Sequence, residues 1–183
     1  NPDLTGACAE MKIVFILDES GSIGGSEADV EAGTMAFLNG LNGTGVQVAF
    51  IEFSPEARLV TDYQVVNQTL INNVQNYFAG TPFNVQDYNT NSGTNWQSAM
   101  TLALTLDDPD MILFFTDGNP TGYTDSNGDN DYCSSGSSTQ QPEIVNPMKL
   151  ANLFKDSLGT HMFMLGVGGV NETNLQRMSG PTE

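Results

Sequence analysis

The stretch that most constrains this sequence is KIVFILD, residues 12–18, an unbroken apolar run rich in β-branched and aromatic side chains that stops at an aspartate. A strand with one wet face alternates apolar and polar residues. A continuous run fits a strand covered on both faces, as in a parallel sheet. VQVAFIEF (46–53), MILFFT (111–116) and HMFMLGVG (161–168) predict further strands, and MILFFT again stops at an aspartate, Asp117. ARLVTDY (57–63) follows the second strand too closely for a parallel crossover, so it is expected as a short antiparallel edge strand. Helical spacing of Val30, Thr34, Phe37, Leu38 and Leu41 predicts a helix opening near Ser26, with Asp29 completing an imperfect capping box. Further helices are expected over 67–79, 96–106, 142–157 (Pro142 in its first turn) and about 171–178. Residues 80–95 and 118–141 read as loops.

This alternation predicts an α/β fold: a Rossmann-like doubly wound, mainly parallel central sheet with one antiparallel edge strand and helices on both faces. The 183 residues suffice for one domain, and neither an internal repeat nor a linker divides residues 1–183. In such sheets ligands bind at the carboxyl ends of the strands, where the strand order reverses. Asp18 and Asp117 both stand at such ends.

The first of these ends reads Asp18-Glu19-Ser20-Gly21-Ser22, three oxygen-bearing side chains at alternate positions in a tight turn that Gly21 permits. Hydroxyls and carboxylates are the hard donors preferred by Mg²⁺, Mn²⁺ and Ca²⁺. Thr94 offers another hydroxyl at the head of a helix, and Thr116-Asp117-Gly118 supplies the second carboxylate. These three pieces, in this order and over nearly the whole chain, resemble the metal-ion-dependent adhesion site of the von Willebrand factor A domain family. The resemblance implies that Ser20, Ser22 and Thr94 contact one divalent cation directly, while Asp18 and Asp117 act largely through waters. It also implies an open coordination position for a Glu or Asp carboxylate of a protein partner. A site with few direct carboxylates leaves the ion strongly electrophilic. The family usually has a sixth strand and a closing helix; either this sequence ends before them at Glu183 or they are missing, and a missing strand would expose a sheet edge.

Five Lys plus Arg against 22 Asp plus Glu give a formal net charge of -17. Such a surface repels nucleic acid and anionic membranes and attracts cations. No apolar stretch approaches the roughly 18 residues that cross a bilayer, and the N-terminus lacks the pattern of a signal peptide. Low Lys content and abundant Asn, Gly, Ser and Thr favour an extracellular or cell-surface setting. Cys8 and Cys133 would then form a disulfide, whereas in a cytosolic protein they would be buried thiols. The sequons at Asn42, Asn67 and Asn171 matter only in a eukaryotic secretory pathway.

Asp125, Asn127, Asp129 and Asp131 alternate as in the first half of a calcium-binding loop, without the Gly at position 6 and Glu at position 12 of an EF-hand; a solvated polar loop fits equally well. His161 is the only histidine and opens a strand away from the site, so no Ser-His-Asp triad is expected, nor any enzyme. Trp96 is expected either beneath the site loop or exposed at the ligand surface. The function expected is an extracellular adhesion or ligand-binding module, part of a larger multidomain chain, that grips an acidic residue through its metal. The alternative is an intracellular assembly subunit resembling those of chelatase or ATPase complexes.

Overall fold

In the computed structural model, which describes residues 10–80, 93–132 and 139–181, the elements run β1 (Lys12–Asp18), α1 (Glu27–Leu41), β2 (Gln47–Phe53), β3 (Ala57–Val65), α2 (Gln68–Phe78), α3 (Trp96–Ala103), β4 (Met111–Thr116), β5 (Tyr123–Thr124), β6 (Asn130–Asp131), α4 (Gln141–Leu153), β7 (His161–Gly166) and α5 (Glu172–Ser179). Five strands form one sheet in the order β3-β2-β1-β4-β7. β1 pairs in parallel with β2 on one side and β4 on the other, and β7 is parallel to β4. Only β3 runs antiparallel, against β2. This is the mixed, mainly parallel α/β architecture expected, with the antiparallel strand at an edge.

The parity of β1 explains its unbroken hydrophobicity. Ile13, Phe15 and Leu17 join one core with Val30 and Leu38 of α1 and with Leu70, Ile71 and Val74 of α2. Val14 and Ile16 join a second core with Trp96 and Met100 of α3, Ile144 of α4, and Leu175 and Met178 of α5. Each face therefore needs an apolar residue at every position, and no polar alternation survives. Phe15 is stacked on Phe50 with centroids 4.9 Å apart. Truncating such a ring to alanine costs about 3–5 kcal/mol.

Several boundaries differ from expectation for local reasons. Ser26 does not cap α1 with its side chain; the Glu27 carboxylate instead accepts the Gly25 N–H at 2.7 Å. α3 stops at Ala103. α4 stops at Leu153, and a π-helical turn over Phe154–Leu158 carries the chain to Gly159, whose φ of 71° closes it. The loop expected over 118–141 contains the antiparallel hairpin β5–β6. Among the described residues no helix is long and apolar enough to cross a membrane.

Candidate metal centre

β1 passes to β2 on one side of the sheet while β4 passes to β7 on the other, so the strand order reverses between β1 and β4. The carboxyl ends of those two strands carry Asp18 and Asp117, where an open α/β sheet forms a crevice.

Asp18 is wholly buried. One carboxylate oxygen accepts the Ser20 N–H at 2.8 Å and the other accepts the Thr116 hydroxyl at 2.6 Å, tying β1 to β4. Burial raises its pKa to about 7, against the hydrogen bonds from Ser20 and Thr116, and the nearby charge of Asp117 pushes in the same direction as burial. After Ser20 the chain makes one 3₁₀ turn, Gly21–Ile23, whose N-terminus the Ser20 side chain does not cap. Ser20 Oγ instead lies 3.1 Å from Ser22 Oγ, so two hydroxyls face each other beside a buried carboxylate.

Asp117 is 5% exposed. Its carboxylate accepts the Asn119 N–H at 3.1 Å, and its carbonyl accepts the Asn171 N–H at 2.9 Å. Gly118 has φ +90°, and a Cβ there would meet the Asn171 carbonyl oxygen at 2.8 Å. Only glycine satisfies both conditions. The amide of Asn174 donates to the Gly118 carbonyl at 2.8 Å, and that of Asn171 to Asn119 at 3.0 Å, so the start of α5 clamps the Asp117 loop. Sequence reading missed these asparagines. Asn171 stood out only as a sequon, although an Asn before a helical stretch is also an N-cap signal, and its side chain does accept the Asn174 N–H.

Thr94 is buried at the same end of the sheet. Its carbonyl accepts the N–H groups of Thr121 and Gly122, at 2.9 and 3.0 Å. The next residue, Asn95, donates its N–H to the Ser54 carbonyl at the end of β2 and caps α3 through the Ser98 N–H. Trp96 is fully buried against Phe114, so it supports this loop from below.

The Asp125–Asp131 segment is the tip of the β5–β6 hairpin. Asp125 accepts the N–H groups of Asn127 and Asp129, at 2.8 and 2.9 Å, and these hold its pKa below the usual range. Asp131 turns to the Tyr123 hydroxyl and the Tyr132 N–H. The side chains of Asp125, Asn127 and Asp131 thus make contacts within the hairpin. Among the described residues no three or more His, Cys, Asp or Glu gather as a metal cluster. Asp18, Ser20 and Ser22 lie together at the end of β1, Asp117 follows β4 on the adjacent strand, and Thr94 is buried in the loop before α3. The hairpin is pinned beside Thr94: the Asn95 amide donates to Asn130 at 2.8 Å, and the Thr124 N–H donates to Gln97 at 3.1 Å. His161 opens β7 at the opposite end of the sheet from Asp117. Cys8 and Cys133 lie outside the described residues.

A second group was also missed. Glu19, inside the Asp18–Ser22 turn, and Glu52 of β2 are both fully buried. Arg58 of β3 bridges them, Nε to Glu52 at 2.8 Å and a terminal nitrogen to Glu19 at 3.0 Å. The Tyr77 hydroxyl of α2 donates to the other oxygen of Glu52 at 2.6 Å. The available signal was a glutamate inside the apolar run VQVAFIEF, since a charge there needs a partner.

Solved structures of similar fold include domains of pili and byssus proteins. The vWF domain of the type V pili tip protein Mfa5 from Porphyromonas gingivalis superposes with TM-score 0.64 at 12% identity, covering 96% of this chain and 88% of that one. The manganese-loaded TRAP protein of Plasmodium vivax gives 0.63 at 14% identity, covering 95% and 65%. Proximal thread matrix protein 1 of the mussel byssus gives 0.60 at 14%, covering 94% of this chain and only 40% of the mussel chain. At these identities the likeness is one of fold. No curated protein matches the sequence. The profile of the von Willebrand factor type A domain matches residues 12–183, from the first strand through both aspartate-ended strands, and the chain belongs to that family.

Proposed function

We propose that the crevice between β1 and β4 holds one divalent cation, Mg²⁺, Mn²⁺ or Ca²⁺, on Ser20, Ser22, Thr94, Asp18 and Asp117, and presents it to an Asp or Glu carboxylate of a protein partner. The observation that carries this reading is the buried Asp18 carboxylate beside the facing hydroxyls of Ser20 and Ser22. A carboxylate whose charge is disfavoured by burial and by a neighbouring aspartate is stabilised when a cation enters. Hydroxyl-rich donors suit a hard ion and leave it most of its positive charge. When bound, the ion supplies an electrophile for a partner's carboxylate. The residues of the chain orient the donors and, through Trp96 and the two cores, keep the crevice floor dry. The domain is a non-enzymatic adhesion or ligand-binding module, acting outside the cell or at its surface, a reading supported by the family membership and by the likeness in fold to a domain of a pili tip protein.

The test has two steps. Mn²⁺ titration by calorimetry should give one site that Asp18→Ala and Asp117→Ala each remove while the circular dichroism spectrum is kept. A peptide carrying one Glu should then add to the Mn²⁺ form and not to the EDTA-treated form. Metal binding that survives both alanine variants defeats the reading.

A further inference from the structure

The Asp18–Ser22 turn is held from behind. Glu19 points its side chain into the protein rather than toward the crevice, and its N–H donates to the Phe53 carbonyl at the end of β2 at 2.7 Å. The carboxylate of Glu19 accepts from a terminal nitrogen of Arg58, whose Nε separately donates to Glu52, and the Tyr77 hydroxyl donates to the other oxygen of Glu52. Three elements therefore meet at one guanidinium, the turn, β2 and β3, and α2 joins them through Tyr77 on Glu52. Arg58 stands opposite Glu52 in the antiparallel register, so the backbone pairing delivers its planar fork to both carboxylates at once. A lysine, with one compact charge, cannot reproduce that two-sided bridge. Only five Lys and Arg occur in the whole chain, and one of them is placed here.

Resting on the metal reading above, we propose that Arg58 is a positioning residue for the metal centre: by locking Glu19 it sets the path of the turn that carries Asp18, Ser20 and Ser22. Arg58 touches neither the metal nor the partner in this role. Outer-shell partners of metal ligands typically cost about 10–100-fold in metal affinity when removed, and Arg58 acts one residue away from Asp18 and from Ser20.

Two measurements on the purified protein decide it. Mn²⁺ affinity should fall at least about tenfold in Arg58→Gln, by an intermediate factor in Arg58→Lys, and stay close to wild type in Glu52→Gln. The last variant breaks the same buried network but leaves the Arg58–Glu19 contact, so a merely structural role would move both variants alike. In the metal-free protein, amide exchange at Glu19 and Ser20 should accelerate in Arg58→Gln and not in Glu52→Gln. Unchanged Mn²⁺ affinity and unchanged exchange in Arg58→Gln overturn the proposal, as does an equal loss of affinity in Glu52→Gln. Should Arg58→Gln fail to fold, Arg58→Lys is judged by the same two readouts, with wild-type values overturning the proposal. If wild-type protein binds no Mn²⁺, the metal reading fails, and exchange at Glu19 and Ser20 alone decides whether Arg58 sets the turn.

Discussion

Asp18 and Asp117 end neighbouring strands and receive hydrogen bonds from neutral donors: the Ser20 and Asn119 amides and the Thr116 hydroxyl. Glu19 and Glu52, at the same end of the sheet, share the guanidinium of Arg58. One pair of buried carboxylates thus shares a cation from within the chain, while the other, on the reading proposed above, would take one from solution. The difference follows from position. Glu52 faces β3, a strand that carries a long basic side chain back over it, whereas Asp18 ends a central strand and is tied to β4 by the Thr116 hydroxyl. Burial leaves the charge of Asp18 disfavoured in the folded chain, and groups perturbed in this way cluster at functional sites.

The contrast predicts opposite signs. An unfolded chain ionises Asp18 near pH 3.8, whereas the folded, metal-free chain keeps that proton up to about pH 7. Stability should therefore fall as pH rises across this window and carry the whole penalty above it, at most about 4 kcal/mol. Asp18→Asn should flatten that slope and raise metal-free stability at pH 8 in urea melts; an unchanged slope would remove Asp18 as its source. Glu52→Gln should lower stability instead, by about 2–3 kcal/mol, because it removes the buried charge paired with Arg58. If both substitutions change stability in the same direction, the contrast between the two pairs collapses.

Saturating the crevice should also stabilise it. At a hundredfold excess over Kd, Mn²⁺ should add about 2.7 kcal/mol to wild type and nothing to Asp117→Ala, read as a shift in the melting curve. Gly118→Ala tests the geometry on the β4 side, where φ is +90° and the Asn171 carbonyl blocks a methyl. Its expected cost is about 1–3 kcal/mol in urea melts, and a neutral result would show that the Asp117 loop can shift. Smallest of all, Asn171→Ala removes an N-cap and the tie to Asn119, for about 1 kcal/mol. A loss in Asn171→Ala larger than in Gly118→Ala would reverse their assigned weights.

Much of the fold was legible because each central strand is apolar at nearly every position, which only a sheet covered on both faces tolerates. The short gap between the second strand and ARLVTDY likewise forced an antiparallel pairing, and β3 pairs that way. Boundaries were less legible. The π-helical turn after Leu153 and the hairpin within 118–141 depend on contacts distant in sequence, such as Thr124 to Gln97. The acidic hairpin shows the same limit from the other direction: alternating Asp and Asn fit a calcium loop and a solvated polar loop equally well, and only the structure shows the Asp125 carboxylate accepting the Asn127 and Asp129 N–H groups.

The sequence by itself determined the class of fold, the two aspartates at strand ends and the hydroxyls that follow the first of them, since these are local patterns of hydropathy and chemistry. Only the tertiary structure decided that Thr116 joins Asp18, that α5 clamps Gly118, and that Arg58 bridges Glu19 to Glu52. Those contacts span 98, 56 and 39 residues along the chain. The physical reason is that a buried polar group must find a partner wherever the packed sheet places one, and its sequence neighbours do not reveal which.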